Sequence, residues 1–296
     1  MFVDMELDRI IEEALKEDLG DGDHTSLATI EEGTSGEAQL LMKANGVLAG
    51  IEVAEKVFQK VDPDLKMNIL ITDGTFVEVN DVPFTVEGDI RSILAAERTV
   101  LNFMQRLSGI ATETFRMVKE IQGTKAKILD TRKTTPLLRE LEKYAVRLGG
   151  GENHRMGLYD MIMIKDNHVD YAKGIENAIE AVVKYMKRTG KKLKVEIEVR
   201  NFEELLDAVN YGHIDRIMLD NFSVEDVISA VQIINGRYET EASGGIILEN
   251  VRQYAETGVD FISLGSLTHQ IKSLDMSMKA VIKRFYDNAP DLPENW

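Results

Sequence analysis

The chain has 296 residues, enough for one large domain or two ordinary ones around a substantial core. Its composition, 44% apolar and 29% charged, is that of a globular protein, not a disordered one. A formal net charge of -16 disfavours nucleic acid or an anionic membrane as partner, and the lack of any cysteine excludes disulfides, thiolate zinc sites and cysteine nucleophiles.

The first twenty residues, MFVDMELDRIIEEALKEDLG, carry acidic side chains throughout. They show no basic segment followed by an apolar one, so no secretory leader is expected and the expected location is cytoplasmic. Within them, Leu7, Ile10, Ile11, Ala14 and Leu15 recur at helical spacing, which predicts an amphipathic helix over 5–19. GDGDH at 20–24 breaks it. Residues 36–87 read as short strands and turns with one helix near 52–60, punctuated by glycine and proline. From Ile90 to Glu120 the pattern is helical, with a break expected at SGIAT, 108–112. No apolar run approaches the roughly 20 residues that span a bilayer.

After about residue 123 short apolar runs alternate with helical segments. The runs are AKILDTRKT, DMIMIKDNH, LKVEIEVR, RIMLDN, YETEASGG and FISLGS. Helices are expected at 135–148, 171–189, 201–210, 223–234 and 247–257. Such alternation implies parallel strands with helical crossovers. Six strands make a smaller barrel than the usual eight, although an open doubly wound sheet fits the same pattern. In either architecture reactive residues gather at the carboxyl ends of the strands. Those ends carry Arg132-Lys133, Lys165-Asp166-Asn167-His168, Glu198, Asp220-Asn221, Ser243-Gly244-Gly245 and Gly265-Ser266.

Each of these has a plainer reading. Alternation along LKVEIEV puts Lys194, Glu196 and Glu198 on one face, directed into a barrel or else solvated on an edge strand. Asp220 suits magnesium, but it equally suits the cap of a helix starting near Ser223. SGG at 243–245 and LGS at 264–266 are ordinary turn chemistry taken singly; on two consecutive final strands they favour a phosphate. Arg139, Lys143 and Arg147 lie at i, i+4 and i+8 and read as a solvated helix face with local ion pairs. Arg132, Lys133, His154, Arg155 and Lys165 differ in sitting at or near strand ends. Converging there, they predict a polyanionic ligand, since guanidinium forks bind carboxylates bidentately and lysine adds a point charge.

DTRKTTPLLRELEKYAVRLGGGENHRMGLYDMIMIKDNH, with AAERTVLNFMQRLSGIAT, VEIEV, IMLDN, EASGGI and ETGVDFISLGSLTH, resembles the quinolinate phosphoribosyltransferases over nearly the whole chain. The resemblance implies an N-terminal α+β sandwich domain, 1–110, joined by a returning C-terminal segment, 275–296. It also implies a six-stranded β/α barrel, 111–274, carrying the catalytic site. It implies a homodimer, magnesium, and transfer of phosphoribosyl from phosphoribosyl pyrophosphate to quinolinate with loss of carbon dioxide. By position, Lys133, Lys165, Glu198 and Asp220 would be catalytic, with Glu198 and Asp220 near ribose and metal. Substrate would also meet Thr131, Arg132, His154 and Arg155, with Arg98 supplied by the neighbouring subunit. The 5′-phosphate would meet Ser243, Gly244, Gly245, Leu264, Gly265 and Ser266. Three positions depart from the family pattern: Leu137, where glycine is common after TTP, Ser266 and Gln270. Rival readings are a molybdenum-transport-associated paralogue of the same fold, an aldolase with Lys133 or Lys165 as Schiff base, and a non-catalytic regulator that kept the pocket.

Overall fold

The computed structural model describes residues 4–281. Its first part opens with α1 (Asp4–Leu19), α2 (His24–Thr29), β1 (Ser35–Met42), β2 (Gly46–Val47) and α3 (Ile51–Val61). There follow β3 (Lys66–Ile69), β4 (Phe76–Val77), β5 (Phe84–Asp89) and the long α4 (Ile90–Glu120). Leu7, Ile11 and Leu15 bury one stripe of α1, the spacing that the sequence predicted. Asp23 caps the unpredicted α2, accepting from the backbone N–H groups of Thr25 and Ser26 at 3.1 Å each.

The second part continues with β6 (Lys127–Leu129), α5 (Arg139–Leu148), β7 (Ile162–Ile164), α6 (Asp166–Ala172) and α7 (Ile175–Thr189). Then come β8 (Val195–Val199), α8 (Phe202–Tyr211), β9 (Arg216–Asp220), α9 (Val224–Ile234), β10 (Glu239–Ser243), α10 (Leu248–Glu256), β11 (Phe261–Ser263) and α11 (Ser266–His269). The six strands form one parallel sheet in the order β6-β11-β10-β9-β8-β7. From β7 to β11 each strand pairs with the next in sequence and the last, β11, pairs with the first, β6, so only the seam between β6 and β7 lacks a strand pairing. Segment 149–160 follows β6 there, and Glu152 bridges parallel to Leu129.

The last element, β12 (Met276–Ala280), pairs antiparallel with β1 in a four-stranded sheet of order β12-β1-β5-β3. Residues 282–296, including the tail ending in Trp296, lie outside the described residues.

Three local expectations need correction. SGIAT does not break α4. Ser108 Oγ accepts from Ala49 N–H and Thr112 Oγ1 from Val47 N–H, both at 2.9 Å, so these small polar residues serve packing inside a continuous helix. A Cβ at Gly109 would overlap the Lys272 carbonyl, so glycine is there for close approach of another segment. The helix expected at 171–189 is two helices, because Lys173 and Gly174 take left-handed or extended positive φ of 64° and 127°. The helix expected from 135 begins at Arg139 because Pro136 and Leu137 form a turn, closed by Leu138 N–H donating to Thr135 O at 3.1 Å.

That turn holds Leu137 at φ +67°. Proline second and positive φ third is the type II pattern, which favours glycine at the third position. Leu137 is 80% exposed, so its side chain loses little by removal. Left-handed backbone costs a non-glycine residue about 1–2 kcal/mol, while glycine gives back about 0.5–1 through unfolded-chain entropy. Leu137→Gly is therefore expected to stabilise the chain by about 0.5–1 kcal/mol, read as a higher urea midpoint. An unchanged or lower midpoint would contradict a strained turn.

Candidate active site

The carboxyl ends of all six parallel strands open into one cavity of about 860 Å³. Every site residue expected in the barrel, from Thr131 to Ser266, lines it. Arg98 does not; it lies exposed on α4.

Four cations line this cavity. Arg132 and Lys133 follow β6, Arg155 emerges from the seam segment, and Lys165 directly follows β7. Burial lowers the Arg155 guanidinium from its ordinary value, and the charge of Arg132 lowers it further. Two guanidiniums are thus held within electrostatic reach of each other across a common hollow. Arg155 Nη1 donates to Met161 O at 3.2 Å, which anchors its guanidinium to the approach to β7.

Beside Lys165 lie two carboxylates from neighbouring strands. Glu198, next to last in β8, is 7% exposed; its Oε2 takes Lys165 Nζ at 2.6 Å. Asp220 ends β9. Burial raises it above the usual carboxylate range, and the negative charge of Glu198 adds to the rise. The cap reading of Asp220 fails, because Ser223 caps α9, its Oγ accepting from Asp226 N–H at 3.1 Å. Ser243 pairs in register with Asp220 and leads into Gly244 and Gly245, at φ +93° and +63°. A Cβ at Gly244 would overlap the Asn221 carboxamide, so the turn needs glycine there for space as well as for φ. At Gly265 a Cβ would come within 2.8 Å of Lys133 Cδ and 3.1 Å of His269 Nε2. The Lys133 stem therefore lies across the last turn.

Beneath the cavity the barrel is charged, not apolar. Glu196 and Glu241 are fully buried. Glu196 Oε2 and Glu241 Oε2 lie 3.0 and 3.4 Å from His154 Nε2, and Arg216 Nη1 donates to Glu241 Oε2 at 2.9 Å. Arg216 also stacks over Phe261, 4.0 Å from the ring centre. Burial opposes the charge on His154, yet the two glutamates lift the imidazole to about 9. Arg155 N–H, 2.7 Å from His154 Nδ1, works the other way and favours the neutral ring. Either state places a proton on Nε2 between the two carboxylates, and that proton is the fixed feature. Burial and the charge of Glu241 raise Glu196, whereas His154 and Arg216 hold Glu241 low against its own burial.

A second buried device shapes the seam. Lys143, expected on a solvated face, is instead 0% exposed and ion-paired to the equally buried Asp130, while donating to His154 O at 3.0 Å. The alternation of charges along α5 hid this, because its burial follows from the position of the seam segment above it. Asp130 also accepts from His154 N–H at 2.9 Å and from the Asn153 amide, so one carboxylate fixes three consecutive elements of the mouth. Arg139 is likewise drawn in, donating to Met156 O at 2.9 Å, and Arg147 pairs with Asn153 and stacks on Tyr144.

Sequence reasoning passed over Asp130, Glu241 and His269. Glu241 was within reach: in ETEAS the alternation that turns Glu196 inward on β8 turns Glu239, Glu241 and Ser243 inward on β10. Asp130 and His269 carried no pattern of their own.

Comparison with known proteins bears on both halves. The family description "Quinolinate phosphoribosyl transferase, N-terminal domain" matches residues 23–108, and "Quinolinate phosphoribosyl transferase, C-terminal domain" matches 110–279. "Quinolinate phosphoribosyltransferase [decarboxylating] 1" of Nicotiana glauca is 46% identical, over 93% of this chain and 82% of that protein. "Nicotinate-nucleotide pyrophosphorylase [carboxylating], chloroplastic" of Arabidopsis thaliana is also 46% identical, with the same coverage. Among solved structures, the nicotinate-nucleotide pyrophosphorylase from Francisella tularensis superposes with a TM-score of 0.89 at 41% identity, over 95% of this chain and 98% of that one.

Proposed function

The chain belongs to the quinolinate phosphoribosyltransferase family, and on that premise we propose how its barrel mouth works. It is a decarboxylating phosphoribosyltransferase: it joins quinolinate to the ribose of phosphoribosyl pyrophosphate and yields nicotinate mononucleotide, pyrophosphate and carbon dioxide. The observation that carries the mechanism is the placement of Arg132, Lys133, Arg155 and Lys165 around one hollow in a chain of net charge -16.

In this reading the four cations take the two ring carboxylates and aim the ring nitrogen at the anomeric carbon. Orientation is their main contribution, because it turns an encounter in solution into a fixed approach. The turns at 243–245 and 264–266 receive the 5′-phosphate. Glu198 and Asp220 face the ribose, where negative charge favours the cationic character that develops as pyrophosphate departs. The ring nitrogen forms a bond to carbon with its lone pair, and the carbon–oxygen bond to pyrophosphate breaks with its electrons. The nitrogen is then cationic, so the electron pair of the neighbouring carbon–carboxylate bond can move toward it as carbon dioxide leaves. A proton from Lys133 or Lys165 completes that carbon. Both lysines reach the cavity.

Magnesium fits the acidic side of the site. Two converging carboxylates, one raised by the charge of the other, form a hard-oxygen pair of the type this ion prefers. Glu198 and Asp220 would hold it, and when bound it would neutralise charge on the pyrophosphate.

An aldolase reading gains nothing from the geometry. Lys165 is ion-paired and partly exposed, and so lacks the dry apolar pocket that activates a Schiff-base lysine. We place the protein in the cytoplasm, which suits a chain without cysteine. Among the described residues no helix is long and apolar enough to cross a membrane.

We also propose a homodimer in which Arg98 enters the neighbouring site, a role that its exposed position on α4 permits. One assay tests both statements. The wild-type chain should convert quinolinate and phosphoribosyl pyrophosphate to equal amounts of carbon dioxide and nicotinate mononucleotide. Arg98→Ala and Lys133→Ala should each be inactive alone, and their mixture should regain activity, since each heterodimer holds one intact site. Proven subunit exchange without recovery would exclude a shared site.

A further inference from the structure

Arg106 lies on α4, outside the cavity, yet its guanidinium reaches the loops that form the mouth. Nε and Nη2 donate to Glu142 Oε1 at 2.9 and 2.7 Å. Nη2 also donates to Thr135 Oγ1 at 2.7 Å and to Thr268 O at 3.0 Å. Glu142 is fully buried on α5, and its other oxygen accepts Thr135 N–H at 3.1 Å. Thr268, also fully buried, donates its hydroxyl to Lys133 O at 2.8 Å.

These contacts join two walls of the cavity. One is the loop after β6, which carries Arg132 and Lys133. The other is the turn after β11, which carries Gly265, Ser266 and His269. No hydrogen bond runs directly between Arg106 and a cavity-lining side chain among those described, so its effect must pass through Thr135, Glu142 and Thr268. A planar guanidinium suits three acceptors in a fixed fork; an ammonium would not span them.

We propose that Arg106 is a positioning residue that sets the separation between Lys133 and the turn at 264–266. Resting on the functional reading above, this means that it fixes the diacid side of the pocket relative to the phosphate side. The separation matters only when both substrates are bound and the bond between them is forming. The clamp therefore acts on the transition state more than on either substrate alone.

Loss of Arg106 alone would strand the buried Glu142 charge, so the test removes both charges. Arg106→Met/Glu142→Gln should fold with a melting temperature close to wild type. Its kcat should fall roughly 10- to 50-fold, while quinolinate affinity by calorimetry changes less than about threefold. Thr268→Val, which keeps the carbonyl clamp but cuts the link to Lys133, should lower kcat about fivefold with the same split. Arg106→Lys, which keeps the charge but lacks the fork, should also fall short of wild-type kcat. A well-folded double variant with wild-type kcat would overturn the proposal, and so would a loss confined to quinolinate affinity. Failure of the functional reading would look different, because the wild-type chain itself would then release no pyrophosphate.

Discussion

Lys143→Met should destabilise the chain by about 3–5 kcal/mol, the range for breaking a buried ion pair from one side. The pair with Asp130 is fully buried. Burial lowers Lys143 and raises Asp130, in each case against the pull of the partner's charge. Each ionised form is thus less favourable in the fold than in water, and the pair adds little stability in net terms. Removing one member is costly for a different reason: it leaves a lone carboxylate without solvent. The double variant Asp130→Asn/Lys143→Met should accordingly recover part of the loss, although the new amide would face the Asn153 amide as donor to donor. Urea unfolding of the three proteins checks this. A single-variant loss below about 1 kcal/mol, or a double variant no better than Lys143→Met, would show that the charge is not what matters. Activity should fall as well, since Asp130 and Lys143 hold the His154 backbone at both its N–H and its carbonyl.

Asp130 and Lys143 also mark the limit of what the linear sequence discloses. Periodicity located the six parallel strands, and alternation turned Glu196 and Glu198 into the barrel, because each of those signals is local. A strand alternates faces whatever surrounds it. Whether Lys143 meets water depends on segment 149–160 folding back across the seam, which no window on α5 contains. The same holds for Ser108 and Thr112. Their small polar character reads as a helix break until the backbone N–H groups of Val47, in β2, and Ala49, just after it, meet the two hydroxyls. The site was more legible than the packing. Strand ends are defined locally, and a barrel gathers them at one mouth whatever its helices do. What the strand ends could not disclose is the layer beneath, where Glu241, Arg216 and His154 compensate one another, and the clamp from α4, which joins residues more than 100 positions apart.

Arg155→Ala should weaken quinolinate binding by about 1.5–3 kcal/mol, roughly 10- to 150-fold, if it removes one charge-assisted contact. Two facts make Arg155 the sharper choice over a surface cation. It is partly buried, so a carboxylate that replaces water around it meets a less screened charge. It also sits within the field of Arg132, and two like charges held together lose that repulsion when an anion lies between them. The second point predicts non-additivity. Arg132→Ala should cost a similar amount, but the double variant should lose less than the sum, because each single change also relieves the other cation. Arg155→Lys should recover only part of the affinity, since a point charge cannot reproduce a bidentate fork. Calorimetry against quinolinate across the wild type and the four variants reads all of this directly. Unchanged affinity in both single variants would mean that the ring diacid lies elsewhere, and the cations at this mouth would then have no assigned anion.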